Sequence, residues 1–402
     1  MKRVTPLAAI FLTVFVDLIG FGIVIPLLPF YAEHFQASPE VVTLLMASYS
    51  FTQFIFAPMW GRLSDRHGRK TVLIVSLAGL SASYVWMGFV GALWQLIAAR
   101  AFAGAMAGNL AAAQAYIADV TAPEQRAQGM GVVGAAFGLG FIVGPALGGL
   151  LAGSDPRDPN FTLPALSAAA LSLTALLLAI FILEESLDPA TRSANADNRR
   201  PGRFGLLAEA FGKPELRTLV VVFFLVTFVV AIMESTFALW SERTFGWGAA
   251  QNGYLFAYTG VLAAVVQGGL IRRLARQFGE RRLVMQGVLS IGAGLALIPL
   301  VHALPLLLAA MALLAYGMGV NNPSLSSLIS LAAAKDQRGG VLGVSQSAAS
   351  LARIAGPAFA GVLFAAFGRN APYVAGATIM LAVLALVLRM TKRSTAPSSR
   401  AH

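Results

Sequence analysis

The sequence predicts an all-α polytopic membrane protein with twelve transmembrane helices in two pseudo-symmetric six-helix bundles. Of its 402 residues, 57% are hydrophobic and only 12% are charged, which is more apolar surface than a soluble fold buries. Apolar runs of about 20 residues, the length that crosses roughly 30 Å of hydrocarbon, recur along the chain. The second half of the chain also repeats the first.

Twelve such runs are bounded by charged or turn-forming residues. The first follows Met1-Lys2-Arg3, as a secretory signal would, but it continues to Phe30, contains Asp17 and shows no small-residue cleavage site. We therefore expect a span and not a leader. The predicted spans 1 to 12 are residues 7–30, 42–60, 72–90, 95–118, 127–152, 164–183, 218–241, 252–271, 283–300, 305–331, 340–366 and 372–389.

The basic residues predict the orientation of these spans. With both termini inside, 24 Lys and Arg lie on the cytoplasmic side, and only Arg157, Arg243 and Arg369 lie outside. This bias is typical of a protein of the plasma (bacterial inner) membrane, so the net charge of +11 indicates topology and not nucleic-acid binding. The absence of cysteine from the sequence excludes disulfides and thiolate metal sites.

A polar, breaker-rich stretch at 184–217 divides the spans six and six. We predict an N-terminal six-helix bundle at 1–183, a cytoplasmic linker at 184–217, a C-terminal six-helix bundle at 218–391 and a disordered cytoplasmic tail at 392–402. The linker segment "FGLLAEAF" is predicted to be a short helix at the membrane surface.

The internal repeat indicates a transporter. Residues 124–149 align with 336–361 at a constant offset of 212, so that Gly144-Pro145 falls on Gly356-Pro357. Six-span halves related by a parallel repeat are typical of transporters, whose substrate site lies near the midplane between the halves. A channel needs no such duplication.

Two charged residues lie within the spans of the first half. Asp17 is about 15 Å deep, where a carboxylate costs several kcal/mol unless it is paired, hydrated or protonated. We predict that Asp17 is the proton-coupling residue. Arg100, about 8 Å below the outer surface, is the expected counter-charge, reached by an extended side chain or through water. The alternative is that Arg100 extends outward to the membrane interface.

Other in-span polar residues are weaker candidates for the lining of the substrate cavity. Glu234 and Arg353 belong to the second half and are expected to face each other across it. Solvated helix ends are expected to explain Glu33, Glu242 and Arg243. No metal-ligand cluster, nucleotide motif or catalytic constellation is found in the sequence, so neither ATP-driven transport nor an enzyme is expected. The remaining candidates are Asn109, Gln114, Asn321 and Asn322.

Glycines dominate span 5. They let two backbones approach closely in lipid, and Pro145 introduces a kink or a local break in hydrogen bonding. We predict a close-packed, bendable helix at the boundary between the halves; ordinary helix packing is the alternative. The glycines are Gly131, Gly134, Gly138, Gly140, Gly144, Gly148 and Gly149.

The charged segment "GRLSDRHGRK" (61–70) joins spans 2 and 3. Its bases suffice to anchor an inner loop, but the corresponding loop of the second half has Arg276 where the first half has Asp65. Asp65 is therefore expected to have a role that is specific to the first half and that goes beyond anchoring the loop. We predict that Asp65 lies near the start of span 3 or near the inner end of a helix across the interface between the halves, with contacts that form when the inner side closes and break when it opens. Arg69, Asp119 and Arg126 are expected to complete this inner-gate cluster.

These motifs resemble those of the major facilitator superfamily, and within it the twelve-span drug:proton antiporters of the tetracycline-efflux type. The resemblance covers nearly the whole chain. "AARAFAGAMAG" resembles the span 4 motif through Arg100, and "DLIGFGIVIPLLP" the span 1 motif through Asp17. The loop signature is matched at Gly61, Asp65, Arg66, Gly68, Arg69 and Lys70, and the span 5 antiporter motif at Gly140, Gly144, Pro145, Gly148 and Gly149.

The resemblance implies the major facilitator fold, with two bundles that rock about a central cavity while proton entry drives substrate exit. It implies a small amphipathic substrate and the lipid bilayer as partners, no ATP, no nucleic acid, no cofactor besides the coupling proton, and a functional monomer. Tetracycline exporters carry acids in spans 3 and 9 and a histidine in span 8, where this chain has Ser83, Ser290 and Ala263. The mechanism is thus better supported than tetracycline as the substrate.

We therefore predict a proton-coupled exporter of small amphipathic molecules, cationic or zwitterionic ones foremost. The alternative is an exchanger or importer of a metabolite such as a sugar, an organic anion or a lipid, with Arg100 and Arg353 binding an anionic substrate. A receptor or scaffold is a third class, but no appended signalling domain is found in the sequence.

Overall fold

The computed structural model describes residues 5–121, 126–153, 155, 159–187, 212–333 and 338–395. Within these ranges it has twelve helices long and apolar enough to cross a membrane, which confirms the twelve predicted spans. In chain order, and with interrupted spans in parts, the helices are Pro6–Val24, Ile25–Leu27 and Leu28–His34 (span 1), Pro39–His67, Arg69–Gly88, Leu93–Met106 and Asn109–Val120 (span 4), Arg126–Ala152, Thr162–Phe181, Pro214–Phe245, Ala249–Val265, Val266–Leu270 and Ile271–Phe278 (span 8), Glu280–Leu297 and Ile298–Leu300 (span 9), Leu304–Ala332, Arg338–Phe367 and Ala371–Thr395.

The segment 61–70 is not the loop that its charge predicts. Span 2 remains helical to His67 and span 3 begins at Arg69, so Gly68 alone turns the chain, with φ of 104°. A residue with a side chain rarely adopts that backbone conformation. The apolar pattern marks only the part of a helix that lies in hydrocarbon, and Arg, Lys and Asp continue a helix beyond it.

The structure divides into two compact units. The first comprises Met1–Arg199 with Phe237–Val261, and the second comprises Arg200–Thr236 with Leu262–His402. The predicted domain boundaries stay a prediction. The predicted surface helix in the linker lies outside the described residues, whereas span 12 is helical to Thr395, within the segment predicted as a tail.

Each unit has its own apolar interior. In the first unit, span 1 packs against spans 5 and 6, and span 3 packs against spans 4 and 6. In the second unit, span 9 packs against spans 10 and 12. Fully buried side chains, among them Leu73 and Tyr116 in the first unit and Ile291 and Tyr373 in the second, fill these interfaces. Burial of apolar area and close contact between helices hold each unit together.

Candidate functional site

Span 4 is interrupted where the sequence predicts one continuous helix. Its first part ends at Met106 and its second begins at Asn109. In an uninterrupted helix the carbonyl of Ala105 would accept from the N–H of Asn109. Here it accepts a 2.6 Å hydrogen bond from the indole Nε1 of Trp60 in span 2. Gly108 permits this approach, because a Cβ there would lie 2.5 Å from Trp60 Cγ.

Asp17 lies beside this interruption, with 3% of its surface exposed. Its Oδ2 accepts a hydrogen bond from Asn109 Nδ2, and its Oδ1 accepts one of 3.2 Å from Ser172 Oγ in span 6. The same Ser172 hydroxyl is 3.3 Å from the carbonyl oxygen of Leu77 in span 3. A hydroxyl has one proton to donate and can also accept, so Ser172 offers a partner to Asp17 with or without a proton. The arrangement can therefore hold the carboxyl group in either protonation state.

Arg100 is buried, which does not fit the alternative of a side chain extended outward to the interface, whereas a link to Asp17 through water stays a prediction. The side chain of Arg100 is 3% exposed and does not reach the interface, and the described residues include no ion pair between Arg100 and Asp17. Its Cζ instead lies 4.3 Å from the ring centroid of Tyr49 and 5.4 Å from that of Phe21. Within the described part of the chain, Arg100 Nε and Nη1 are buried without a hydrogen-bond partner. The structure thus places Asp17 with amide and hydroxyl donors, and Arg100 with aromatic rings.

Arg69 is the centre of the predicted inner-gate cluster. It is 7% exposed, and its guanidinium contacts Asp65 Oδ1 at 2.6 Å, Asp119 Oδ2 at 2.9 Å and Ser64 Oγ at 3.2 Å. Both carboxylates belong to the first unit, so the cluster ties the ends of spans 2, 3 and 4 together. Other predicted members are not brought into it: Gly61 is bordered by open space, Arg66 is exposed, and the side chain of Arg126 lies outside the described residues.

Sequence reasoning missed Glu185, which completes this cluster. Its two carboxylate oxygens accept from the backbone N–H groups of Arg69 at 2.9 Å and Lys70 at 3.2 Å, the first residues of span 3. The adjacent Ser186 donates to Asp119 Oδ2 at 3.1 Å. A carboxylate at a helix N-terminus meets N–H groups that lack partners and a favourable dipole. The available signal was the position of Glu185 just after span 6, which ends on the same side as the start of span 3.

Asp65→Asn tests whether the cluster does more than orient the chain. The amide keeps the size of the side chain but removes one of two negative charges beside a buried guanidinium. We expect a loss of about 1–2 kcal/mol of unfolding free energy and slower transport with unchanged topology. Thermal unfolding in detergent and transport in vesicles measure both effects. If this variant unfolds and transports as the wild type does, residues 61–70 serve only to orient the chain in the membrane.

Glu185→Ala tests the cap on span 3. Removal of a helix cap costs about 0.5–2 kcal/mol, so we expect the apparent melting temperature of the detergent-solubilised protein to fall. Glu184→Ala is the matched control, because Glu184 is exposed and adjacent. Equal melting temperatures for the two variants would show that Glu185 does not stabilise the cluster.

The glycines of span 5 have two different environments. A Cβ at Gly148 would lie 2.2 Å from the carbonyl oxygen of Ile23, and one at Gly144 would lie 2.7 Å from Gly22 Cα. Gly149, on another face, meets Ala249 in the same unit. By contrast, nothing lies within 4 Å of a Cβ built on the earlier glycines, which we name the open glycine face: Gly131, Gly134 and Gly138.

Tight contacts thus gather in the half of span 5 that carries the antiporter motif. Gly140, Gly144 and Gly148 face span 1 at four-residue intervals, while Pro145 and Gly149 face span 8. A Cβ on Gly253 of span 8 would lie 2.3 Å from the carbonyl oxygen of Pro145. Small residues on both sides allow this approach of backbones, as is typical of helix packing in membranes.

The second unit carries the remaining candidates. The side chain of Glu234 is exposed, and the residue lies about 16 Å along the helix from the C-terminal end of span 7. It lies within electrostatic range of Arg353, as expected. Arg353 also donates to Ser350 Oγ at 3.3 Å.

Asn321 is fully buried against Gly287 and lines no open space, contrary to expectation. The missing side chain of Gly287 makes the room that Asn321 fills. Gln114 in the first unit and Asn322 in the second are exposed.

The two serines that stand where tetracycline exporters have acids both hold helices together. Ser83 donates to the carbonyl of Ala99 at 2.8 Å, joining spans 3 and 4. Ser290 donates to the carbonyl of Leu313 at 2.7 Å, joining spans 9 and 10. Each bond joins the third and fourth spans of its own half of the chain. These positions therefore contribute to packing in this chain and not to a charged pathway.

At the other end of the first unit, an ion pair joins two helix ends whose side chains remain partly exposed. Glu33 Oε1 of span 1 lies 3.6 Å from Arg243 Nη2 of span 7, and Glu242 is within electrostatic range of Glu33. Sequence spacing does not reveal this contact, because the two helix ends are 210 residues apart in the chain.

Comparison with known proteins agrees with this architecture. The sequence profile of the Major Facilitator Superfamily matches residues 10–278 and 268–402. The chain belongs to the Major Facilitator Superfamily. Its relatives include the class E tetracycline resistance protein of Escherichia coli, 32% identical over 91% of this chain and 89% of that protein. Multidrug resistance protein 2 of Bacillus subtilis (strain 168) is 30% identical over 93% of this chain and 92% of that protein.

Solved structures of this superfamily share the fold. The crystal structure of the human organic anion transporter MFSD10 (TETRAN) is 27% identical, with a TM-score of 0.72, and the match covers 95% of this chain and 98% of that one. The relatives are transporters and not enzymes, which confirms both the resemblance and the expectation that this chain is not an enzyme. The chain is therefore an integral membrane transporter of the Major Facilitator Superfamily.

Proposed function

We propose that this transporter is a proton-coupled exporter of small amphipathic molecules, of the tetracycline and multidrug efflux type, that works by alternating access. It acts as a monomer in the plasma (bacterial inner) membrane, with both termini in the cytoplasm. The surroundings of Asp17 carry the proposal. This carboxyl group is buried within a span, and its partners Asn109 and Ser172 suit either protonation state. Intramembrane acids of this kind are typical of proton pathways.

Two further features support the proposal. The Arg69 cluster ties the ends of spans 2, 3 and 4 by hydrogen bonds and ion pairs within the first unit, so these ends can move as one body when the two bundles rock. The relatives named for resistance to tetracycline and to multiple drugs match this chain over most of its length. In such an exporter, Asp17 would take up a proton from the outer side and release it inside as the substrate leaves.

Everted membrane vesicles test the coupling, with ethidium as the probe. An imposed proton gradient, acidic inside, is expected to drive ethidium into vesicles that contain the protein, and an uncoupler is expected to stop it. Vesicles without the protein are the control. Ethidium uptake that persists unchanged without a gradient would exclude proton coupling. A panel of drugs in an efflux-deficient host then identifies the substrates.

A second candidate is an exchanger or importer of organic anions. The observation that favours it is the likeness to a protein described as a human organic anion transporter. The direction of transport, measured in intact cells, distinguishes the two candidates. Accumulation of a labelled organic anion with unchanged drug tolerance would favour the second candidate, whereas drug tolerance that an uncoupler abolishes would favour the exporter.

A further inference from the structure

We infer that the second unit binds the headgroup of an anionic phospholipid where span 8 ends and span 9 begins. The site is the span 8–9 arginine cluster, which comprises Arg272, Arg273, Arg276 and Arg282. Its ligand is a phospholipid whose phosphate leaves the headgroup with a net negative charge. The inference goes beyond the proposed function and does not rest on it, because the transported substrate, the direction of transport and the coupling ion do not enter.

The arginines of this cluster have no acidic partner. All four are exposed, and none forms an ion pair with a residue that the structure describes. The two acids described beside them are engaged by other groups: Glu215 pairs with Arg281 at 2.6 Å, and Glu280 Oε1 accepts from Ser327 Oγ at 2.5 Å. Like charges that lie close together repel each other, and an anionic ligand relieves this repulsion. Basic sites between transmembrane helices at the membrane surface are typical of anionic lipid binding.

The internal repeat shows which acids the second unit lacks. In the first unit, Asp65 contacts Arg69 at 2.6 Å at the corresponding turn. At an offset of 211 residues, Arg276 stands in place of Asp65 and Glu280 in place of Arg69. The first unit therefore neutralises this turn with its own carboxylates, whereas the second unit presents arginines there. A lipid phosphate would supply the missing negative charge.

The arginines lie at the depth of lipid phosphates. Leu270 is the last exposed apolar residue of span 8, and Arg272, Arg273 and Arg276 follow it by about 3 to 9 Å along the helix. The headgroup layer extends about 5–7 Å beyond the hydrocarbon on each side of a bilayer. Long arginine side chains can adjust to this layer while their apolar stems stay near the hydrocarbon. The guanidinium groups can therefore contact a lipid phosphate.

Two glycines leave a groove beside the arginines. Gly268 and Gly269 lie one turn before Arg272 and Arg273, on the same sides of span 8. Both glycines are exposed, and nothing lies within 4 Å of a Cβ built on either of them. The glycerol and acyl chains of a lipid can therefore lie against the bare backbone while its phosphate accepts charge-assisted hydrogen bonds from the guanidinium groups.

Orientation of the chain in the membrane is the competing explanation for these arginines. It predicts that any exposed base on this side contributes equally. Arg217 and Arg389, at the start of span 7 and the end of span 12, are also exposed, but the residues one turn further into the membrane are Val221 and Ala385 and not glycine. The two explanations therefore predict different results for these two pairs of arginines.

Titration of short-chain lipids into the purified, detergent-solubilised full chain tests the inference, with native mass spectrometry to count bound lipids. Dioctanoyl phosphatidylglycerol is anionic, and dioctanoyl phosphatidylcholine has the same acyl chains without a net charge. We expect the wild type to bind the anionic lipid about 10- to 100-fold more tightly. Arg272→Gln/Arg273→Gln should remove most of this preference, whereas Arg217→Gln/Arg389→Gln, which loses the same charge from the same unit, should keep it.

Three results would overturn the inference. The first is equal binding of the two lipids by the wild type. The second is an equal loss of preference in the two double variants, which would indicate a general effect of charge. The third is displacement of dioctanoyl phosphatidylglycerol by an equal concentration of glycerol 3-phosphate, which would indicate a site for soluble phosphates and not for a lipid.

Gly268→Leu provides a second test that leaves every arginine in place, and it decides the question if the arginine variants do not fold. Leucine would fill the groove, so dioctanoyl phosphatidylglycerol should bind about 2- to 10-fold more weakly. Gly343→Leu is the matched control, because Gly343 of span 11 is also bordered by open space and lies away from the cluster in sequence. Equal binding by the two leucine variants would contradict a lipid in the groove.

Discussion

Asp17→Asn is expected to abolish ethidium transport driven by a proton gradient while the protein remains folded and inserted. The amide has the shape of the carboxyl group and can still bond to Asn109 and Ser172, but it cannot release or take up a proton. The variant therefore resembles a transporter fixed in the protonated state. Gradient-driven uptake in everted vesicles measures the loss.

Two controls make this prediction specific. Exchange of ethidium across the membrane without a gradient should survive in Asp17→Asn, because it requires no proton. Ser172→Ala keeps the carboxyl group and removes one donor, so it should slow transport and leave it dependent on the gradient. Gradient-driven uptake by Asp17→Asn at the wild-type rate would remove Asp17 from the proton pathway and require another acid, such as Glu234.

Gly148→Ala is expected to destabilise the first unit far more than the chemically identical change Gly134→Ala. The new Cβ at 148 would lie 2.2 Å from the carbonyl oxygen of Ile23, a backbone atom that cannot turn aside. Overpacking of this kind costs about 1–3 kcal/mol and forces spans 1 and 5 apart. At Gly134 nothing lies within 4 Å, so alanine should stabilise the helix by up to about 1 kcal/mol through its higher helix propensity.

Within one helix, the first variant is expected to lower the stability of the protein and the second to raise it. Only the difference between their melting temperatures is therefore needed. Melting temperatures of the detergent-solubilised proteins, followed by their size-exclusion profiles, provide the measurement. Transport by Gly148→Ala should fall with its stability, since span 1 carries Asp17. Equal melting temperatures for the two variants would contradict the close contact between spans 1 and 5.

The sequence was sufficient to predict the spans, because apolar length is set by the thickness of the bilayer and not by tertiary detail. It also predicted the Asp65, Arg69 and Asp119 contacts, since the ends of successive spans return to the same side. Glu234 and Arg353 were expected in one half and lie within each other's electrostatic range. In each case the prediction depended on depth and side, which sequence position determines.

Features that depend on helix rotation could not be predicted in this way. Asp17 and Arg100 are a reasonable pair by depth, but Asn109 and Ser172 face the carboxylate and aromatic rings face the guanidinium. The break in span 4 depends on Trp60 of span 2, whose indole N–H replaces a backbone N–H as the donor to Ala105. The sequence of span 4 alone does not predict this contact. The two environments in span 5 likewise arise from different neighbours around similar glycines.

The hydrogen bond from Trp60 to the carbonyl of Ala105 also gives the transporter a built-in optical reporter. Indole emission shifts when its N–H partner and local polarity change, and Trp60 is 8% exposed at the joint between the two parts of span 4. In a variant that keeps Trp60 and carries phenylalanine at the other four tryptophan positions, fluorescence would follow this joint alone. Motion of the half-helix that holds Asn109 against Asp17 would then become visible in real time, without a label.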